Sequence, residues 1–218
     1  KGELAKQFRF AGAFFLSGGG QPDMRKAVLD ETGKNVQHIV SEGDSIGDVK
    51  VAGVYRDRVV LSLNGVDEEL WLSLEEASLH SGDTSSTGTV DVAGEDCRFG
   101  KKVGDNNWLF KRQALMDYYD ELMNEPERLL KVFDSLKPMR NRKGKIKGYI
   151  LDIEGEKPFF DAIGFKEGDV VRKVNEMPMT SRHRAEFFIK QFVDNKLSVI
   201  LIDLERGGDD NRLVYRVR

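Results

Sequence analysis

The sequence predicts a mainly β front domain, built as a small antiparallel sandwich or barrel, and an α+β C-terminal domain, joined by a linker and helices. Three observations predict this fold class. Short runs of alternating apolar residues fill the first third of the 218 residues, a stretch rich in Ser, Thr, Gly and Asp follows, and helical and strand patterns alternate after it. A chain of this length holds one large domain or two small ones.

The front domain is predicted to cover residues 1–74. Its first strand shows period-two spacing of the apolar residues Phe8, Phe10, Phe14 and Leu16. Five further short runs follow, separated by turn residues, and Asn64-Gly65 is a strong two-residue hairpin signal because both positions tolerate positive φ. Six short strands without a helical stretch favour a sandwich or barrel.

The middle of the chain is predicted to be a linker over residues 75–110 and a helical segment over residues 111–137. Residues 81–88 carry too few apolar side chains to bury much surface, whereas residues 90–93 and 108–110 could add brief strand pieces. Leu115, Tyr118 and Leu122 then repeat at helical spacing. The linker composition predicts that the two domains move independently.

The C-terminal domain is predicted to cover residues 138–218. Its pattern indicates a strand at residues 148–153, a short helix that ends at Gly164 and a strand at residues 170–174. A helix of about twelve residues, capped by Thr180 or Ser181 and continuing through Val193, and two final strands complete the domain.

The charge and hydropathy patterns exclude two classes of partner. Lys plus Arg number 34 and Asp plus Glu number 37, so the net charge is -3. Proteins that bind nucleic acids normally carry a positive surplus, and we expect no nucleic-acid partner. The apolar runs are far shorter than the roughly 20 residues of a bilayer span. Because the chain begins with Lys1, we expect it to be a fragment, and a removed anchor or signal segment stays open.

The residues that could carry catalysis are scattered. His38, His80 and His183 form no His-Glu-x-x-His helix, and Cys97 has no histidine nearby in the sequence. We therefore predict no catalytic residues, no metal site, no cofactor and no enzymatic activity.

A basic stretch is the most informative charged feature. Its six cations lie within eleven residues: Lys137, Arg140, Arg142, Lys143, Lys145 and Lys147. Three interpretations stay open. The stretch is a solvated loop, it is attracted to acidic lipid at about 1 kcal/mol per residue, or it holds a carboxylate beside a sheet edge.

Two sets of motifs resemble known families. Residues 145–151, the Gly-Phe-Lys-Glu-Gly-Asp-Val-Val block at 164–171 and residues 174–179 resemble a bacterial-type PDZ domain. Residues 30–33, 40–44 and 52–61 resemble the periplasmic homology-region domain of the type II secretion C component, and the segment at 124–130 is similar to that family's helix before the PDZ domain. The order of the parts is that of the family.

The resemblance implies a PDZ-like C-terminal domain and a periplasmic connector that links the inner-membrane platform to the outer-membrane secretin. Its membrane contact would be made only by an inner-membrane anchor that lies outside this chain. Its partners would be the secretin's periplasmic domain and inner-membrane secretion components, with exoproteins as further candidates for the PDZ domain. The alternative is a PDZ-bearing adaptor or regulator of a periplasmic protease.

The resemblance also implies two binding sites. A peptide groove would lie between a strand and the helix that begins near Ser181 and Arg182; the strand residues are Gly148, Tyr149, Ile150, Leu151, Asp152 and Ile153. The secretin contact is expected on the edge strand at residues 8–14, through Arg9, Phe10 and Gly12.

Overall fold

The structure, a computed structural model, describes residues 2–18, 21–34, 36–72, 96–153 and 155–218. These residues form strands in three sheets, together with short and medium helices. The helices are Leu4–Gln7 (α1), Arg112–Asn124 (α2), Pro126–Asp134 (α3), Lys157–Ala162 (α4) and Arg182–Val193 (α5). The strands of the first part are Phe8–Gly18 (β1), Gln21–Glu31 (β2), Val36–Ser41 (β3), Ser45–Ile46 (β4), Val49–Val54 (β5), Arg58–Leu63 (β6) and Val66–Trp71 (β7). The later strands are Asp96–Cys97 (β8), Gly100–Gly104 (β9), Asn107–Phe110 (β10), Leu136–Arg140 (β11), Ile146–Leu151 (β12), Val170–Val174 (β13), Met177–Pro178 (β14), Val199–Arg206 (β15) and Asp209–Val217 (β16).

The front unit, formed by α1 and β1–β7, is a small sandwich of two antiparallel sheets. One sheet has the order β1-β2-β3 and the other the order β4-β5-β6-β7. Phe10 and Leu29 from the first sheet and Val51 and Leu61 from the second are buried in a common cluster, called here the front core. The predicted front fold is confirmed.

The turn between β6 and β7 has the conformation that its sequence predicts. Asn64 and Gly65 have φ angles of 53° and 80°, and the flanking residues Leu63 and Val66 pair directly. A turn with two positive φ angles matches the right-handed twist of the paired strands.

A β-bulge divides β1 into two halves. Phe10 pairs with Leu29, but Gly12 pairs with Val28, so one extra residue is inserted in β1. Before the bulge Phe10 packs in the front core, and after it Phe14 packs in a second cluster. The predicted period-two spacing therefore does not place Phe10 and Phe14 in one core, because an inserted residue inverts the alternation of side chains.

The C-terminal unit, formed by β8–β16 and α2–α5, is built on one large sheet. Its strand order is β11-β12-β13-β15-β16-β10-β9-β8, and β14 pairs with β13. The strands pair antiparallel except that β10 runs parallel to β16. Residues 96–110, within the predicted linker 75–110, thus contribute three strands to this sheet. Residues 75–95 of that linker lie outside the described residues, and the domain boundaries stay a prediction.

Two buried polar residues organise the turns of the C-terminal unit. Asn175, with a φ of 46°, accepts the backbone N–H of Leu201 at 2.7 Å and donates to the carbonyl of Val199 at 3.3 Å. Asp169 accepts the backbone N–H of Lys166 at 2.9 Å and binds the guanidinium of Arg206. These bonds satisfy polar groups that would be costly to bury unpaired.

The two units share a core. The second cluster, called here the main core, contains Leu201 and Leu213 of the C-terminal unit and also Phe14, Leu16 and Val28 of the front unit. The two units are therefore docked on each other in this structure, which the linker composition did not predict because it carries no information about the surfaces that the units bury. Among the described residues no helix is long and apolar enough to cross a bilayer.

Candidate functional site

The predicted peptide groove places its strand in the interior of the sheet. Over Tyr149 and Ile150, β12 pairs with β11 on one edge and with β13 on the other. A strand with both edges hydrogen-bonded cannot accept a further strand. The prediction of strand addition at residues 148–153 is therefore corrected, and β11 is the strand at the end of the described sheet.

The side chains of the predicted groove are mostly core residues. Tyr149, Leu151 and Ile153 are buried in the main core, where Phe188 of α5 joins them. Asp152 forms an ion pair with Lys137 instead. Gly148 lies so close to β13 that a Cβ would come within 2.5 Å of the Val171 carbonyl oxygen, which explains why the position is glycine.

The predicted helix partner of the groove begins where expected. Arg182 is the first residue of α5 and is exposed, and Ser181 precedes it in an extended conformation. Ser181 makes no side-chain capping hydrogen bond, so the helix start relies on backbone geometry alone. α5 packs on the sheet through Phe188 rather than through its first turn.

The available edge at β11 is interrupted by a proline. Asp152 donates its backbone N–H to the carbonyl of Ser135 at 2.9 Å, so this pair bonds directly across β11 and β12. Because such pairs alternate along an antiparallel ladder, the backbone of Pro138, opposite Tyr149, faces away from β12. Proline has no N–H to donate, so a peptide added to this edge would lack one hydrogen bond at its centre.

The basic stretch forms the hairpin between β11 and β12. The Asn141 side chain accepts the backbone N–H groups of Lys143 at 2.9 Å and Lys145 at 3.0 Å, and the Asn141 carbonyl accepts that of Gly144 at 2.9 Å. Three backbone donors of this turn are therefore already used, which argues against a carboxylate held by its backbone. Any anion here would meet exposed cations: Arg142, Lys143, Lys145 and Lys147.

The remaining members of the basic stretch are held close to the sheet. Lys137 pairs with Asp152, and Arg140 donates to the carbonyl of Gly144 at 2.9 Å. Four of the six cations are therefore available to bind an anion, whereas Lys137 and Arg140 already bond within the chain. Their spacing in the sequence did not show this difference.

The residues predicted to contact a secretin make contacts with other residues of this chain. Phe10 is 1% exposed in the front core. Gly12 faces β15, where an added Cβ would come within 2.8 Å of the Val199 Cβ. Arg9 forms an ion pair with Asp30 at 2.5 Å. The expected open edge is therefore corrected: the C-terminal unit covers β1 at Gly12, and Phe10 is buried in the front unit's own core.

An ion cluster joins the two units beside this contact. Asp30 of β2 accepts hydrogen bonds from Arg9 at 2.5 Å, from Gln37 at 2.9 Å and from Arg216 of β16 at 3.3 Å. Burial lowers the pKa of the Arg216 guanidinium, and Arg9 adds to this effect while Asp30 opposes it. The Asp30 carboxylate thus offsets part of the cost of burying the Arg216 guanidinium at this contact.

The residues considered for catalysis do not converge. His38 lies 3.0 Å from Glu31, whose pKa is lowered first by Lys34 and then by this histidine. His183 is exposed beside Glu186, Cys97 is an unpaired half-buried thiol, and His80 lies outside the described residues. Within the described ranges, no group of three or more His, Cys, Asp or Glu side chains could hold a metal ion.

A buried carboxylate anchors the helices that lead into β11. Glu156 accepts the Tyr118 hydroxyl at 2.8 Å and the Arg128 guanidinium at 2.7 and 3.0 Å. Tyr118 also stacks on Phe159, with ring centroids 4.3 Å apart. The hydrogen bonds from Arg128, and secondarily from Tyr118, hold the pKa of Glu156 below its usual value of 4.5 against the opposing effect of burial.

This network predicts a specific acid sensitivity. Because the folded-state pKa is lowered, the stabilisation is complete above pH 4.5 and is lost as the pH falls through the folded-state pKa. We expect Glu156→Gln to lower the free energy of unfolding by about 1–3 kcal/mol at pH 7. The difference from the unchanged protein should shrink as the pH falls below 4.5 in urea titrations. A difference that stays constant down to strongly acid pH would contradict an ionic role for Glu156.

The comparisons with known proteins follow the sequence resemblance. No protein-family model matches the chain. The putative type II secretion system C-type protein YghF of Escherichia coli K12 is 27% identical over 196 residues, which cover 84% of this chain and 52% of the relative. Type II secretion system protein C 2 of Escherichia coli O78:H11 strain H10407 is 26% identical over 194 residues, which cover 84% and 54%.

Over most of its length the chain is similar to type II secretion C proteins. The predicted resemblance is thereby confirmed. The alignments cover 84% of this chain, which is more than either unit alone, so the similarity includes parts of both units. The chain spans about half the length of the curated relatives it matches. The predicted alternative, an adaptor of a periplasmic protease, has no counterpart among them.

Two solved structures also match this chain. The PDZ domain of EpsC from Vibrio cholerae, residues 204–305, is 19% identical and covers 47% of this chain and 98% of its own, with a TM-score of 0.31. A shorter form, residues 219–305, is 19% identical and covers 39% and 97%, with a TM-score of 0.30.

Proposed function

We propose that this chain is the periplasmic part of a connector of a type II secretion apparatus, anchored in the inner membrane by a segment outside the chain. It would link the inner-membrane platform to the periplasmic domain of the outer-membrane secretin, and it would catalyse no reaction. The observation that carries this proposal is the similarity to two secretion C proteins over 84% of the chain.

The architecture offers what such a connector needs, namely strand edges. In the front unit β1 and β3 end one described sheet, with β1 partly covered by the C-terminal unit, and β4 and β7 end the other. Each main-chain hydrogen bond at such an edge contributes about 0.5–1.5 kcal/mol net. A few of these bonds with one or two side-chain pockets give roughly micromolar affinity. Contacts of this strength can form and separate during a transport cycle.

The C-terminal unit is proposed to take part in exoprotein recognition or in assembly of the apparatus. The β11 edge is the candidate surface, and Pro138 at its centre favours weak binding there because it lacks a backbone donor. The exposed cations of the adjacent hairpin would favour acidic partners, with an affinity that falls as salt is raised.

Isothermal titration of the full chain with the purified periplasmic domain of the secretin from the same organism tests the connector. We expect a dissociation constant of about 1–10 μM. The matched control carries Arg142→Glu and Lys143→Glu in the hairpin of the C-terminal unit and should bind equally well. Absence of binding at a secretin concentration of about 200 μM would contradict the connector role.

A further inference from the structure

Residues 195–199, which lead into β15, pair with β1. The backbone N–H of Ser198 donates to the Ala13 carbonyl at 3.2 Å. The Ser198 hydroxyl accepts the Ala13 N–H at 3.0 Å and donates to the Ala13 carbonyl at 3.0 Å. Phe15 donates its N–H to the Lys196 carbonyl at 3.4 Å. Residues 195–199, called here the receiving segment, therefore bond to β1 on the edge opposite β2.

The fit between the receiving segment and β1 depends on the bulge. Gly12, with a φ of 151°, brings the β1 backbone against Val199 and Ser198, where a Cβ would lie 2.8 Å from the Val199 Cβ. The inserted residue then turns Phe14 into the main core opposite Leu197, with which it forms an isolated bridge. A glycine and a bulge at one point of a strand are typical of close backbone approach.

The contact uses few of the side chains that the front unit buries. The front unit buries four side chains in the main core, Ala11, Phe14, Leu16 and Val28, but it keeps thirteen in its own front core. The rim of the contact is polar: Lys26 pairs with Glu176 at 2.5 Å, and Arg56 donates to the Asn195 side chain at 2.6 Å. Contacts with a polar rim and a modest apolar centre resemble those between domains that separate.

We propose that the docking of β1 on the receiving segment is a reversible closed state that hides the outer edge of β1 from partner strands. A protein that recognises this edge has to compete with the receiving segment of the same chain. The secretin is named as that competitor on the strength of the proposed function, whereas the closed state itself stands on the contacts alone.

A charge exchange at the rim tests the closed state. Glu176→Lys places two cations opposite each other, and the double variant Lys26→Glu with Glu176→Lys restores an ion pair of reversed polarity. We expect hydrogen exchange at the Ala13 and Phe15 amides to be about tenfold faster in the single variant and to return to the original rate in the double variant. The Leu201 amide, bonded to Asn175 within the C-terminal unit, reports on general unfolding and should not change.

Titration of the same variants with the secretin periplasmic domain tests the masking. We expect Glu176→Lys to bind about tenfold more tightly and the double variant to bind like the original protein. Unchanged exchange at Ala13 and Phe15 in the single variant would overturn the closed state. Faster exchange with unchanged affinity would overturn the masking but leave the connector intact. If no variant binds the secretin, the connector and its masking both fail, while the exchange rates still decide whether the closed state opens.

Discussion

Replacing Asp169 with alanine is expected to lower the free energy of unfolding by about 3–5 kcal/mol. Asp169 is 1% exposed, and its carboxylate accepts the Arg206 guanidinium at 2.8 and 2.6 Å as well as the Lys166 N–H. Its hydrogen bonds raise the pKa of Arg206. Without the carboxylate, the Arg206 guanidinium loses its anionic partner and keeps only the Gly164 carbonyl, and the Lys166 N–H loses its side-chain acceptor. Urea denaturation measures the loss.

Asp203→Ala is the matched control for this substitution. Asp203 binds Arg212 in the same two-pronged geometry, at 2.6 and 3.2 Å, but the two side chains are 25% and 38% exposed. Exposed ion pairs contribute about 0–1 kcal/mol, so this variant should remain close to the original stability. Equal losses in the two variants would contradict the conclusion that burial sets the effect.

Replacing Gly12 with alanine is expected to lower the free energy of unfolding by about 3 kcal/mol. The substitution forces an L side chain into a φ of 151° and places its Cβ 2.8 Å from the Val199 Cβ in a closed interior. Backbone strain and overpacking therefore act together at this position. Thermal and urea denaturation measure the loss.

Gly33→Ala separates these two causes. Gly33 also has a positive φ, 84°, but no heavy atom lies within 4 Å of the position that a Cβ would take. This control should lose only the cost of the backbone conformation, about 1–2 kcal/mol. A loss at Gly33 as large as that at Gly12 would argue against a tight contact between β1 and β15.

The sequence predicted those parts of the fold that depend on local patterns. The alternating runs gave the strands of the front sandwich, and Asn64-Gly65 gave the turn between β6 and β7. The positive φ of Gly164 after α4 was expected from the same kind of turn chemistry. Each of these features depends on residues close together in the chain, where propensity and periodicity apply directly.

The bulge in β1 and the order of the large sheet could not be predicted in this way. Ala11 is as apolar as its neighbours, so the inserted residue leaves no mark in the hydrophobic pattern. The parallel pairing of β10 with β16 joins residues about a hundred positions apart. Sheet order depends on such distant pairings, so the sequence did not show that β11 pairs with the β12 edge at which the resemblance places the peptide groove.

The covering of the β1 edge could not be predicted for a related reason. The sequence predicts an open edge at Phe10 and Gly12, but it does not show which surface covers an edge. One signal was available: a glycine inside an aromatic strand often marks close approach of another backbone. Ser198 and Asp30, which complete the contact between the units, stand in segments without any motif.

The parallel pair of β10 and β16 also affects how the molecule can be divided for laboratory work. Trp108 and Tyr215 are directly paired there, with their rings packed edge to face at 5.5 Å. A truncated version that starts at the predicted boundary near residue 138 would lack β10. The edge of β16 and the Tyr215 ring would then be exposed, and an exposed strand edge promotes self-association. A C-terminal fragment that stays monomeric has to begin upstream of β8, so that β8, β9 and β10 remain paired beside β16.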